Sequence, residues 1–336
     1  MDTMTTRDRC RAVLSFQPFD RLPMLEWAPY WTLTIERWET EGLPKDTDPT
    51  EHFGLERYAG QWFPSGSGEI EKPEDGRPLV SSMDDYQRIR EQLYPWPRIE
   101  EANAREIAAK HGRGEVVRCF TFEGFFWFPR TLFGIEQHLL AFYDQPEVMH
   151  LINADMAEHH LRCIDEICKY SVPEYMTFAE DMSYNHGAML SKELFDEFLL
   201  PYYRRVVPRL NEYGIVPIVD SDGDVTELAH WLEEAGIQGI LPLERQAGND
   251  IVRLRDEHPT MRFIGHYDKM VMWKGEAAMR TEFERLLPTA AQGGFIISVD
   301  HQTPPQVSYE DYQLYLRLLR EYGEKAGEMS RSCLRG

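Results

Sequence analysis

No run of the 336 residues approaches the roughly 20 consecutive apolar residues that a membrane-spanning helix needs. The opening residues, MDTMTTRDRCRAVLSF, lack the apolar centre of a signal peptide, so the expected location is the cytoplasm. Basic residues are scarce: 36 Lys and Arg stand against 57 Asp and Glu, giving a net charge of -21. That deficit argues against nucleic acid or an anionic membrane as a partner, since both attract a basic stripe. The 5 cysteines are odd in number: Cys10, Cys119, Cys163, Cys168 and Cys333. Without a Cys-x-x-Cys spacing they read as free thiols, against a disulfide framework or a cysteine-only zinc site. The glycine patterns GxGxxG and GxxxxGK[ST] are also missing, which removes support for a nucleotide-binding doubly wound sheet.

Hydrophobic residues make up 42% of the chain and aromatics 12%, enough for a sizeable core. From about residue 115, strand and helix patterns alternate. Val116 to Phe122, Tyr175 to Asp181, Ile215 to Asp220, Ile237 to Glu244, Met261 to Asp268 and Phe295 to Asp300 are apolar, β-branched or aromatic runs. Between them lie helical patterns: Ile135 to Tyr170 with a break at Asp144-Gln145-Pro146, one opened by Ser191, Val225 to Ala235, Asp250 to His258, Glu276 to Leu287, and Tyr309 to Gly323. Leu22 to Trp27 adds an early strand, and an eighth is expected between Leu79 and Ile99 or as a short one elsewhere. Strands apolar on both faces and alternating with helices imply a covered parallel sheet. The expected fold is an α/β (β/α)₈ TIM barrel forming a single domain over 1–336. Residues 40–100, rich in Pro, Gly and charge, read as an insertion or lid, and 324–336 as a flexible tail.

The loops after the strands of such a barrel build its site. Those loops carry acids: Glu26, Glu123, Glu180, Asp181, Asp220, Asp222, Asp224, Glu244, Asp268 and Asp300. Asp commonly starts turns and caps helices, and Asp224, ahead of Val225-Thr226-Glu227, reads as such a cap. Glutamates cap poorly, so capping does not explain the set. Crowded carboxylates destabilise one another unless cations or protons offset them. The rim therefore points to a metal, a cationic ligand or proton transfer. His301 ends the last strand and precedes Gln302-Thr303-Pro304-Pro305, which cannot extend it. His266 is a weaker candidate, and His138, His159 and His160 fall on helical patterns and are expected at the surface. Trp27, Tyr30, Trp31 and the run Phe125 to Phe128 would pack as core or lid, or wall a planar or methylated substrate.

The blocks EDMSYNHGAMLSKELFDEFLLPYYRRV, DSDGDVTELAHWLEEAGIQGILPLERQAGND and GHYDKMVMWKGEAAMRTEFERLLPTAAQGGFIISVDHQTPPQVSYEDYQLYLRLLREYG resemble the uroporphyrinogen decarboxylase superfamily over about residues 115–323. The resemblance implies a (β/α)₈ barrel and one of two chemistries. One is cofactor-free decarboxylation of uroporphyrinogen in haem synthesis. The other is methyl transfer involving a corrinoid protein, often with zinc on a His-x-Cys pair and a later Cys. The family's arginine-bearing RQAGRY segment is replaced by EWAPYWTLTIERW, Glu26 to Trp38, with Arg37 out of register. An acidic rim would also repel the substrate's eight carboxylates. At the zinc positions stand Asp220, Asp222 and His301, a set suited to zinc first, then manganese or magnesium.

The leading expectation is thus a methyltransferase acting between a small molecule and a corrinoid on a separate protein, since no DxHxxG cobalamin stretch is present. Asp220, Asp222 and His301 would hold a divalent metal. Glu180, Asp181 and His301 would carry catalysis, and Glu26, Trp27, Glu123, Glu244 and Asp268 would bind substrate. The alternatives are a decarboxylase without cofactor, for which Lys269, Arg245 and Arg118 are the few available cations, and a non-catalytic binder of a cationic small molecule. Pairing into a homodimer through an outer face is compatible with the sequence but marked by no stripe.

Overall fold

The computed structural model describes residues 4–66, 70 and 77–332. Its main sheet contains β1 (Tyr58–Ala59), β2 (Trp62–Phe63), β3 (Val117–Glu123) and β4 (Tyr175–Ala179). After a small antiparallel hairpin, β5 (Ser183–Tyr184) with β6 (Gly187–Ala188), come β7 (Val216–Asp220), β8 (Gly239–Leu241), β9 (Arg262–Tyr267) and β10 (Phe295–Val299). All pairings of the main sheet are parallel, in the order β1-β3-β4-β7-β8-β9-β10, with β2 also against β3. The alternation of strands with outer helices curls this sheet into a TIM-barrel-like α/β fold. Every residue of β10 is buried, as a strand covered on both faces requires.

Two strand expectations need correction. Leu22 to Trp27 occupies the gap between β10 and β1 but forms no ladder. Pro23 has no N–H to give, and the amides of Met24 and Trp27 donate to side chains, Glu56 Oε2 at 3.1 Å and Ser298 Oγ at 3.3 Å. The Glu56 amide then donates to the Met24 carbonyl at 2.8 Å, so the segment seals the barrel with mixed contacts. Of the two placements expected for the eighth strand, the short one holds, at β1 and β2, and the one between Leu79 and Ile99 does not. Residues 79–99 instead hold the helix Met83–Ile89 and a 3₁₀ turn, Arg90–Gln92. Part of the 40–100 stretch is therefore barrel wall.

The helices follow local rules. Ser191 accepts from the Leu194 amide and starts Lys192–Phe198. Asp250 caps Ile251–Glu257 through the amides of Val252 and Arg253. The break at Gln145-Pro146 separates Ile135–Asp144 from Pro146–Cys168. His138, His159 and His160, expected at the surface, are buried instead. Their apolar surroundings hold them neutral: burial pushes His138 down to about 3 and His159 to about 4, and the His160 ring stacks on Phe122 with centroids 4.2 Å apart. No helix among the described residues is long and apolar enough to cross a membrane.

The last helix runs Tyr309–Ser332, past the Gly323 at which the sequence pattern stops. The first nine residues of the expected tail thus belong to the fold, and 333–336 lie outside the described residues. Ala326 is fully buried, and Arg331 Nη1 donates to the carbonyls of Phe19 and Asp20 at 2.7 and 2.8 Å. Ala326→Asp should therefore destabilise the protein by about 3 kcal/mol or more, because it buries an unpaired charge. Glu324→Ala, on the exposed side of the same turn, should stay within about 0.5 kcal/mol, both read by denaturant unfolding.

Candidate active site at the barrel mouth

Strand register decides which side chains reach the rim. Glu123 is level with Ala179, Ala179 with Asp220, and Asp220 with Leu241. The residues just beyond, Glu180, Asp181, Asp222 and Glu244, therefore converge at the C-terminal ends of the strands. The Asp220 carbonyl binds the amides of Glu180 at 2.9 Å and Asp181 at 3.3 Å, which fixes one turn against the other.

The turn after β7 is shaped by Gly223. Its φ is +85°, and a Cβ there would lie 2.5 Å from the Tyr184 backbone, so the turn packs flat on the hairpin. Asp224 behaves as a turn cap, accepting from the Thr226 amide at 3.0 Å and hydroxyl at 2.6 Å. Ser221 faces inward, with Oγ 2.8 Å from Ser183 Oγ. Alternation along this turn leaves Asp220 and Asp222 for the mouth.

Oxygens of Asp181, Asp220 and Asp222 lie within 4.8 Å of one another. His301 Nε2 stands 3.7 Å from Asp222 Oδ2. Two cations border the group. Arg130 Nη2 is 3.6 Å from Asp181 Oδ2, and Arg130 also lies over the Trp127 ring at 4.1 Å. Lys269 Nζ bridges Glu244 at 3.4 Å and Asp300 at 3.3 Å. The cations do not neutralise the cluster. Burial, then Asp181 and Asp222, push the Asp220 carboxyl well above the ordinary range. Asp222 is pushed up to about 7 by burial, with Glu244 and Asp181 adding to it and Lys269 opposing. Asp181 is raised by burial against the pull of Arg130. His301 is lowered by burial and by Lys269, so its imidazole keeps a lone pair near neutral pH.

The other expected site residues are placed differently. Glu180 is fully buried, and its carboxylate binds the amides of Phe125 at 2.8 Å, Phe126 at 2.7 Å and Trp127 at 3.3 Å, and the Tyr203 hydroxyl. Burial raises it to about 7. Gly124 permits this approach, since a Cβ there would sit 2.0 Å from the Glu180 carboxyl carbon. Glu26 is buried against Ser298 Oγ at 2.6 Å and the Val299 amide at 3.2 Å. Glu123 accepts from the Ser65 amide at 2.7 Å. Asp268 is half-buried and caps the turn Lys269–Lys274 through the Met270 amide. Glu244 belongs with the cluster, accepting from the Gly223 amide at 3.2 Å. Trp27 donates its indole N–H to the Val299 carbonyl at 2.8 Å and meets His301 edge-on at 5.9 Å. Phe125, Phe126 and Phe128 are core. His266 is buried, its Nδ1 2.8 Å from the Leu243 carbonyl. Arg118 binds Ser171 at the start of β3, away from the mouth.

The uroporphyrinogen decarboxylase (URO-D) family model matches residues 126–322. The chain belongs to this family. A curated uroporphyrinogen decarboxylase from Bordetella parapertussis is 28% identical over 186 residues, 50% of this chain and 48% of that protein. The chain thus aligns with about half the length of that relative. A solved methyltransferase from Methanosarcina mazei superposes with a TM-score of 0.65 at 15% identity, covering 95% of this chain and 99% of the other. At that identity the superposition shows the shared barrel fold.

Arg130 was not legible as a site residue, because it sits in the helix Trp127–Phe133 after β3 and reaches back over the turn at Asp181. The raised Asp222 carboxyl has a consequence for stability. Its folded value of about 7 lies above the ordinary 3.8, so its contribution is complete below about pH 4 and is lost as pH rises through 7. Asp222→Asn removes that loss. In metal-free protein the variant should be more stable than wild type by about 1–2 kcal/mol at pH 8, a figure discounted for the partly exposed side chain, and the advantage should shrink at pH 5. Thermal unfolding at both pH values with chelator present checks it.

Proposed function

We propose that this URO-D family protein is a metal-assisted methyltransferase that moves a methyl group between a small molecule and a corrinoid carried by a separate protein. The observation that carries the reading is the Asp181, Asp220 and Asp222 cluster with His301 at its edge. Three carboxylates and one imidazole form a donor set for a divalent cation. Zinc comes first, with manganese or magnesium also served by the oxygens. The raised carboxyls support the fit, because a bound dication would replace the protons that the cluster otherwise retains. A thiolate zinc site does not fit: Cys10, Cys119 and Cys163 are buried elsewhere, Cys168 lies near the end of the long helix Pro146–Cys168, and Cys333 is outside the described residues.

Bound there, the metal would supply a Lewis acid that polarises a substrate or acceptor atom. The chain's own residues do the rest. Asp220 and Asp222 would hold the cation, with His301 or Asp181 as a further ligand. With His301 completing the shell, Asp181, whose carboxyl is raised by burial, would be left to take or return a proton. Glu180 acts as a positioning group, holding the Phe125 to Trp127 loop from which Arg130 reaches Asp181. Trp27 forms an apolar wall beside His301 and shields the reacting atoms from water. The acidic rim favours a neutral or cationic methyl donor, such as a methoxylated aromatic or a methylated amine, over a polycarboxylate.

One observation favours a second reading, decarboxylation without a cofactor. An Asp222 held at about 7 could donate its proton to the carbanion left when a C–C bond breaks and carbon dioxide departs. The named activity of the curated relative points the same way.

Metal analysis of tag-free wild type and Asp222→Ala, paired with spectroscopic assay of corrinoid methylation, tests the proposal. The expected outcome is a divalent metal lost in the variant, with methyl transfer falling by more than the about 10–100-fold that a metal's outer partners are worth. Metal-independent release of carbon dioxide from a carboxylated substrate, with no corrinoid reaction, would replace it with the second reading.

A further inference from the structure

A second group of ligating side chains lies outside the barrel mouth. His230 is on the helix Thr226–Glu234, Glu257 ends the helix Ile251–Glu257, and His258 follows it. One donor atom from each lies within 4.8 Å of the others. His230 Nε2 is 3.8 Å from Glu257 Oε2, and the two imidazole centroids are 4.4 Å apart.

The decisive residue is His258. It is fully buried, yet only one of its ring nitrogens is used. Nδ1 meets Glu233 Oε2 at 2.7 Å, while Nε2 has no hydrogen-bond partner. A carboxylate on Nδ1 fixes the proton there and leaves the Nε2 lone pair free. A buried polar atom without a partner is costly, and native structures seldom keep one without reason. This carboxylate–imidazole arrangement is how proteins orient a histidine that binds a metal through its other nitrogen.

We propose that His230, His258 and Glu257 form a second metal site, for a late first-row divalent ion such as zinc, with Glu233 as the positioning carboxylate. Two imidazoles and one carboxylate select zinc or copper over magnesium and calcium, which prefer all-oxygen shells. Donors within 4.8 Å can close to the separations of a tetrahedral zinc shell by side-chain rotation, because His230 and Glu257 are exposed; Glu257 now also accepts from Arg253 Nε at 2.9 Å, and its second oxygen faces His230. The fourth position would be water.

The place in the fold defines the role. His258 comes four residues before Arg262, where β9 begins, so the site is at the N-terminal end of the barrel, away from the mouth. It joins the outer helices that follow β7 and β8, the two strands whose rims carry Asp220, Asp222 and Glu244. The metal would act as a structural clamp between those helices, and it is independent of the reaction assigned to the mouth.

Calorimetric titration of tag-free, metal-stripped protein with Zn²⁺ tests this, using wild type, His230→Ala, Glu257→Gln and Asp222→Ala. Both helix variants alter exposed side chains, so folding, checked by circular dichroism, should be retained. One binding event should weaken about tenfold or more in His230→Ala and Glu257→Gln and persist in Asp222→Ala. Cu²⁺ bound to wild type should show nitrogen couplings from two imidazoles by electron paramagnetic resonance, reduced to one in His230→Ala. Zinc should also raise the wild-type melting temperature, with a smaller rise in His230→Ala. Zinc affinity equal in wild type, His230→Ala and Glu257→Gln would overturn the proposal. So would copper spectra without imidazole couplings, which would mark an adventitious ion only.

Discussion

Charge repulsion at the barrel mouth is the constraint around which the site is arranged. Two full charges about 5 Å apart interact by roughly 3 kcal/mol at an effective dielectric of about 20, equivalent to roughly two pKa units. Asp181, Asp220 and Asp222 form three such pairs, and Glu244 and Asp300 add to the field. Arg130 and Lys269 supply two positive charges, and Lys269 is engaged by Glu244 and Asp300. Full ionisation of the cluster is opposed by burial and by its own charges, and a proton, a divalent cation or a cationic ligand would relieve it.

The scaffold keeps these groups together by backbone contacts that do not relax when charge changes. The Asp220 carbonyl binds two amides of the neighbouring turn, Gly223 lies flat on the hairpin, and Glu180 anchors the loop after β3 from inside. Strand register sets the level of Asp220, and the turns that follow β4 and β7 carry Asp181 and Asp222 beside it. That preorganisation is what a metal-holding or proton-moving site requires.

The rhythm of strands and helices was legible because parallel strands covered on both faces show as unbroken apolar runs. The acidic rim was legible because those runs end abruptly. The Asp224 cap followed from turn chemistry, whereas Asp220 and Asp222 were singled out by the family resemblance, at the places of its His-x-Cys pair. Other features depend on tertiary contacts that no local pattern encodes. Glu180 looks like a rim acid in sequence, but it turns inward because Gly124 leaves room and three amides await it. Leu22 to Trp27 has a strand's composition, yet Pro23 and the Ser298 and Glu56 side chains replace the ladder. His138, His159 and His160 sit on helices whose polar letters suggest exposure, and their burial depends on aromatic partners distant in sequence, such as Phe122 and Phe126. His258 is uninformative in sequence, since its free nitrogen and its neighbour His230 meet only when two helices pack.

The central claim is that the mouth carboxylates exchange retained protons for a divalent cation. Calorimetry of Zn²⁺ or Mn²⁺ binding at pH 6, repeated in buffers of different ionisation enthalpy, counts the protons released, with His230→Ala as the background to separate the outer site. Release of about one proton or more should accompany binding at the mouth and fall in Asp222→Asn, where only the raised Asp220 and Asp181 carboxyls remain. Metal binding with no proton released, or release unchanged in Asp222→Asn, would contradict it.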